Sequence, residues 1–386
     1  MKTYDVIVAG VGSMGSAACY HLARRGKRVL GLEQFDLPHE LGSHHGHSRM
    51  IRQSYYEHPD YVPLLQRGYQ LWDELNELCG NKDPGQRIFH RTGGLYLGPR
   101  DGAIVPGALA AACEHGLDYQ LLEAREVEQR FPAFRVGDGF VGFFEEDAGF
   151  IRPEKALRAH VNLACSHGAE IRTGEEILDW QENGSGVTVR TRRGMVEGGH
   201  LILTAGAWSG RMLRDLETGF SVTRQVLAWF DVAADRAGAS LLLGDFPCWF
   251  IETEAPYGHY GFPMTEFGQR GFKIALHRPG EEMDDPAGER TGVSEEEIAS
   301  LQGVLRKWIP DADGPLLASC TCLYTNSADG HFVLGPYPGN GNVTLAAGFS
   351  GHGYKFASVM GEILSDFACE GATPHPVEFL SPQRFA

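Results

Sequence analysis

The first 33 residues constrain the fold more than any other segment of the chain. Residues 4–9 (YDVIVA) are an apolar run of the length and β-branched content of a buried parallel strand. They lead into Gly10, Val11, Gly12, Ser13, Met14 and Gly15, then into a helix predicted over 16–25 with small residues facing the sheet. A second strand is predicted over 27–32, ending at Glu33. Glycines at this spacing let the backbone turn tightly and bring a helix N-terminus against a pyrophosphate, while Glu33 is placed to accept from ribose hydroxyls. A bare glycine turn would explain the glycines alone. The order strand, turn, helix, strand and acid points to a dinucleotide, without separating FAD from NAD.

The rest of the chain fits a discontinuous version of that fold. A helix is predicted over 154–168, strands over 170–172 and 187–190, and buried strands over 200–205 and 343–347. The last leads through a glycine-rich turn into a helix ending near Phe367, so both chain ends belong with the nucleotide-binding part. Residues 215–320 alternate as an antiparallel sheet does. The fold class expected is α/β plus antiparallel β: a Rossmann-type, two-dinucleotide-binding-fold domain over 1–85, 147–215 and 321–386, with a mixed-sheet substrate domain over 86–146 and 216–320.

Composition removes several functions. A net charge of −16 over 386 residues argues against a nucleic-acid partner. No run approaches the roughly 18 apolar residues of a membrane span, and Asp5 and Gly10 interrupt anything like a secretory signal. The eight cysteines are scattered, unlike a disulfide framework, so a cytoplasmic location with most thiols free is expected.

Four further segments carry chemistry. Residues 42–52 (GSHHGHSRMIR) follow the loop 37–42 and are predicted to be helical, with Arg49 and Arg52 on one face to serve an anionic cofactor and a substrate carboxylate. A metal site at His44, His45 and His47 is the rival, but no carboxylate or cysteine accompanies them, and no metal is expected. In 272–277 (FKIALH), Lys273 and His277 share one face of a strand; by composition alone a surface lysine and a satisfied histidine would be the commoner explanation. Cys320 and Cys322 could be core residues, a redox pair or a cofactor attachment. Residues 348–356 (GFSGHGYKF) either cap a helix or bring backbone against a flat ligand, with Lys355 at the helix start.

Taken together, 42–52, 61–75 (YVPLLQRGYQLWDEL), 260–263 (YGFP), 272–277, 322–327 (CLYTNS) and 348–356 resemble the monomeric sarcosine oxidase family, which includes N-methyltryptophan oxidase and lies within the D-amino-acid-oxidase-like FAD enzymes. The likeness is collinear over nearly the whole chain. It implies one FAD per chain, joined covalently through Cys322, with Cys320 a core thiol. It also implies that Gly10, Gly12, Ser13, Met14, Gly15, Glu33, Ser43, His44, Arg49, Gly348, Gly351, Gly353 and Lys355 hold the cofactor. Arg52 and Lys355 would clasp the substrate carboxylate, with Gly351 and Phe250 also lining the substrate site. Tyr260, Tyr324 and His277 would surround the amine. Lys273 would stand beside flavin N5 where oxygen is reduced, with His45 and Arg49 close to the flavin.

The implied activity is oxidation of an N-methyl amino acid, sarcosine first, with O2 giving glycine, formaldehyde and hydrogen peroxide by a monomeric enzyme. N-methyltryptophan, pipecolate or proline, glycine and D-amino acids are the alternatives; an NAD-dependent dehydrogenase and a non-enzymatic flavin module are the rivals from other classes. The chain departs from the family at Gly46, His47 and Ser48, where relatives carry an aspartate and a threonine. It departs again at Phe250, in place of a methionine, at Gly335, in place of an acid, and in a stretch one residue longer before Tyr260.

Overall fold

The computed structural model describes residues 3–80, 84–184, 186–213, 216, 219–232 and 240–385. Its first sheet is eight-stranded and holds the strands expected at the N-terminus. The strands Glu170–Arg172, Val29–Leu32, Thr3–Ala9, Gly194–Leu203 and Val343–Ala347 run parallel side by side. Val333–Pro336 adds antiparallel at one end, and the meander of Ile177–Glu182 and Val187–Thr191 pairs with the first half of Gly194–Leu203. The helix Ser13–Arg24 is buried over Met14–Ala23. Its small residues serve helix packing as well as the sheet: a Cβ on Gly361, in the helix Ala357–Glu370, would lie 2.5 Å from Ala17. Two elements close against each other at this spacing bury the helix in spite of its modest length.

The second sheet is also eight-stranded, in the order Leu316–Asn326, Ser221–Phe230, Phe272–His277, Tyr257–Phe262, Cys248–Glu254, Gly94–Pro99, Phe140–Glu145 and Gln120–Glu123. Every pairing is antiparallel except that of Cys248–Glu254 with Gly94–Pro99, so the sheet is mixed. Alternation sorts its residues: Phe272 and Ile274 join a core with Leu301, Leu305 and Trp308 of the helix Glu295–Trp308, while Lys273, Ala275 and His277 take the opposite face.

Residues 42–52 correct the sequence reading. They form an irregular loop that ends in the strand Arg49–Ile51, paired with Gly149–Ile151 in a small third sheet shared with Phe89–Arg91. Positive φ at Gly46 (104°) and His47 (68°) is incompatible with a helix at that point. Arg49 and Arg52, an odd number of residues apart on extended backbone, therefore point to opposite sides instead of sharing a face. The strand expected over 200–205 likewise starts earlier and ends at Leu203, giving way to the turn Gly206–Trp208. None of the eight cysteines is in a disulfide, and no helix of the described residues is long and apolar enough to cross a membrane.

Candidate active site

The nucleotide end is built at the carboxyl edge of the first sheet, where the parallel strands of an open α/β sheet leave a crevice. A cavity of about 360 Å³ runs from Gly10, Gly12, Ser13 and Met14 past Glu33, Ser43 and His44 to Arg49, Tyr324, Gly348, Gly351 and Gly353. Glu33 accepts from Val11 N–H at 2.9 Å and Phe35 N–H at 3.2 Å, which aims the carboxylate along the glycine turn. Gly12 tests whether a dinucleotide suits the place. A Cβ there would meet only His44 Nδ1, at 3.9 Å, so protein packing does not demand glycine, and a side chain would project into the cavity. His44 Nε2 is buried with no partner among the described residues. Burial, reinforced by His39 and His45, pushes its pKa down to about 3, which leaves a neutral ring able to donate to or accept from a bound group. Cradle, carboxylate and unsatisfied ring nitrogen all fit FAD.

The chemical end lies where the second sheet faces that cavity. His277 and Tyr324 meet at 3.2 Å between Nδ1 and the hydroxyl. Burial pushes the His277 pKa down to about 4 and the Tyr260 pKa up to about 12, and raises Tyr324 well above its ordinary value, so the cluster is uncharged near neutrality. Phe250 packs across it, with ring centroids 6.2 Å from His277 and 6.0 Å from Tyr56. Gly351 sits against the Tyr324 ring with φ of +78°, leaving no room for a Cβ. Cys322 is buried beside Leu227 and Ala275, and Cys320 on the same strand is half-buried. Burial raises the Cys322 thiol, while Arg49 and Lys273 draw it back.

Lys273 is buried and donates to Gly46 O at 2.6 Å, Ser48 O at 2.9 Å and Ser48 Oγ at 3.2 Å. Three acceptors match the three N–H bonds of an ammonium. Burial and Arg49 push its pKa down, and Glu154 is the chief opposing influence. Arg49 donates to Ser48 O and Ser43 O, both at 3.0 Å, and His45 Nε2 lies 2.8 Å from Thr321 O beside the Cys322 strand.

The two cations assigned to a substrate carboxylate stand differently. Arg52 is buried; its Nη2 donates to both Glu57 oxygens at 2.7 Å and its Nη1 to Ser54 O at 3.0 Å. The Tyr55 and Tyr56 rings cover it at 4.5 and 4.3 Å. Lys355, in the turn Tyr354–Phe356, makes one hydrogen bond among the described residues, to His352 O at 2.8 Å, and faces Tyr55 at 5.0 Å. Burial and Arg52 push its pKa down to about 7 against the pull of Glu57. The sequence reading missed three carboxylates that organise these groups: Glu57 on Arg52, Glu145 holding the N–H groups of Gln53 and Ser54 at 2.6 and 2.9 Å, and Glu154 on the 46–48 loop. Only Glu57, five residues from Arg52, had any local signal.

Among the described residues, no group of three or more His, Cys, Asp or Glu side chains is arranged to hold a metal ion. The fold and cavity define an FAD-binding oxidoreductase. Residues 5–367 match the family model described as DAO, FAD dependent oxidoreductase, and the chain belongs to that family. It is 39% identical over 386 residues to the monomeric sarcosine oxidase of Streptomyces avermitilis, covering 100% of this chain and 98% of that one. It is 36% identical over 367 residues to the N-methyl-L-tryptophan oxidase of Escherichia coli O81, covering 95% of each. The open form of NikD, an unusual amino acid oxidase essential for nikkomycin biosynthesis, superposes with a TM-score of 0.84 at 27% identity, covering 99% of this chain and 98% of that one. Glycine oxidase from Geobacillus kaustophilus, at 20% identity and a TM-score of 0.81 over the full length of both chains, shares the fold.

Proposed function

We propose that this flavin-dependent amine oxidase acts on small secondary amino acids, sarcosine first, with other N-methyl or cyclic imino acids next and primary amino acids last. The balanced reaction is sarcosine, O2 and water to glycine, formaldehyde and hydrogen peroxide. The observation that carries this reading is the pairing of an uncharged amine-side cluster, Tyr260, Tyr324 and His277, with two buried cations, Arg52 and Lys355. A substrate amine must reach the cluster as a neutral base, and aromatic and neutral imidazole neighbours favour that form. The cations fix the other end through charge-assisted hydrogen bonds, with Arg52 exchanging Glu57 for the substrate carboxylate. FAD held along the glycine turn, Glu33 and His44 would supply the redox capacity for oxidising the carbon beside nitrogen at the expense of O2. Lys273 contributes positive charge where oxygen takes up electrons, an effect that acts through the field without a direct bond.

We assign covalent attachment of one FAD to Cys322, supported by its burial on the strand beside the cavity and by the cations Arg49 and Lys273 near its sulfur. The proposed division into an FAD part (1–85, 147–215, 321–386) and a substrate part (86–146, 216–320) rests on the two large sheets, whose strands fall on those segments apart from Leu316–Asn326, which crosses the boundary at 320/321. A monomeric, cytoplasmic enzyme with no nucleic-acid or membrane partner completes the proposal. The test is a peroxide-coupled screen over sarcosine, N-methyltryptophan, pipecolate, proline, glycine and D-alanine. Sarcosine is expected to have the highest kcat/KM; a primary amino acid at the top would overturn the secondary-amine assignment.

A further inference from the structure

The loop 46–48 stands between two buried ionisable groups. On one side Lys273 donates to the carbonyls of Gly46 and Ser48. On the other, Glu154 Oε1 accepts from the N–H groups of Gly46 at 2.8 Å and His47 at 3.0 Å. The Gly46–His47 peptide is thus gripped at both ends, with its carbonyl on the ammonium and its N–H on the carboxylate. A peptide group polarised from both ends strengthens both hydrogen bonds. Consecutive N–H groups that converge on one oxygen form an anion-binding concavity, and here positive φ at both Gly46 and His47 creates it. A side chain at Gly46 would be strained, because φ is +104° and a Cβ would lie 2.6 Å from Leu227.

We infer that Glu154 is a positioning residue for Lys273, holding it as an aimed cation through the Gly46–His47 peptide; this rests on the reading of Lys273 as the group that serves oxygen. Charged or titratable groups face the lysine from several elements: Arg49, Cys320, Cys322 and Glu154. Arg49 and burial oppose the ammonium, and Glu154 is the carboxylate in the set that favours it. Glu154 is itself fit to stay ionised. Burial pushes its pKa up, but the N–H of His47, its own backbone N–H, and the charges of His47 and Arg49 hold it below its ordinary value. It follows Pro153 in the first turn of the helix Pro153–Ser166, whose macrodipole favours a carboxylate there. The Pro153 carbonyl accepts from Tyr354, which lines the cofactor cavity, so a hydrogen bond ties the anchor to the cavity wall.

Glu154→Gln keeps an acceptor for the loop and removes the charge. In the FAD-loaded enzyme, reoxidation by O2 is expected to slow on the order of tenfold at pH 8, while anaerobic reduction by sarcosine changes much less. The fall of the reoxidation rate with rising pH is expected to begin at lower pH. A carbon-13 NMR titration of the lysine Cε, assigned by its loss in Lys273→Met, should show Lys273 losing its proton at lower pH in Glu154→Gln. Glu154→Asp, which keeps the charge on a shorter stem, is expected to reoxidise nearly as fast as wild type. In a Lys273→Met background, Glu154→Gln should add nothing to the slowing. An unmoved Lys273 titration, or equal slowing by Asp and Gln, overturns the inference. A Lys273 titration that moves while Lys273→Met reoxidises normally leaves the link to Glu154 standing and refutes the oxygen role instead.

Discussion

Replacing Lys355 isolates one charge in the substrate site and gives it a pH signature. Lys355 is buried, with its ammonium over the Tyr55 ring at 5.0 Å and one hydrogen bond among the described residues, to His352 O at 2.8 Å, so N–H bonds are left for a ligand carboxylate. The charged groups around it do not titrate near neutrality. Burial pushes Glu57 up, but Arg52, His352 and Lys355 outweigh it and hold Glu57 at about 2. His352 is pushed down to about 3 and His277 to about 4, both by burial, while Glu57 and neighbouring tyrosines raise Arg52 against its own burial. Lys355, at about 7, is the group left to change state. Its folded value lies below the ordinary one, so the cation is present at low pH and lost as pH rises through about 7. Binding of acetate, read from the absorbance of bound flavin, should therefore weaken by about tenfold per pH unit above that point. The limit is the worth of one charge-assisted bond, about 1.5–3 kcal/mol or roughly 10- to 150-fold. Lys355→Met should bind acetate weakly at all pH values and meet the wild-type curve at high pH. Acetamide, which has no charge to pair, should show no such slope. A wild-type slope that survives in Lys355→Met would refute the assignment, since another group would then be titrating.

Three other outcomes follow from the geometry. Cys322→Ser should release its FAD on acid precipitation, whereas Cys320→Ser should stay yellow; the reverse pattern would move the attachment point two residues. Lys273→Met should still be reduced by substrate without air and reoxidise far more slowly, measured by stopped flow for each step, and equal losses in both would make the lysine structural. Glu57→Gln removes the charge that occupies the Arg52 fork, so carboxylate inhibitors should bind severalfold tighter; weaker binding would mean that Glu57 supports the clasp instead of competing for it.

The elements that local rules govern were legible in the sequence. The glycine turn, the helix after it and Glu33 follow one another within one βαβ unit, and alternation alone put Lys273 and His277 on one strand face. Residues 42–52 were misread because their structure is imposed from outside. A strand of three residues has too little periodicity to announce itself, and its partner, Gly149–Ile151, is about a hundred residues away. The carboxylates were hidden for the same reason. Glu154 sits where acidic residues commonly favour a helix start, and nothing in its neighbourhood shows that its side chain reaches a loop 108 positions earlier. The family resemblance placed Arg52 and Lys355 together, but only the structure distinguishes a cation already paired from one with bonds to spare.

Anaerobic mixing of the FAD-loaded enzyme with sarcosine tests the central claim most directly. The flavin colour should bleach with sarcosine and not with NADH. Admission of air should restore it, with one hydrogen peroxide, one formaldehyde and one glycine formed for each sarcosine consumed. Bleaching by NADH, or colour that persists with sarcosine and every other amino acid in the screen, would contradict the assignment of this site to flavin-linked oxidation of a carbon–nitrogen bond.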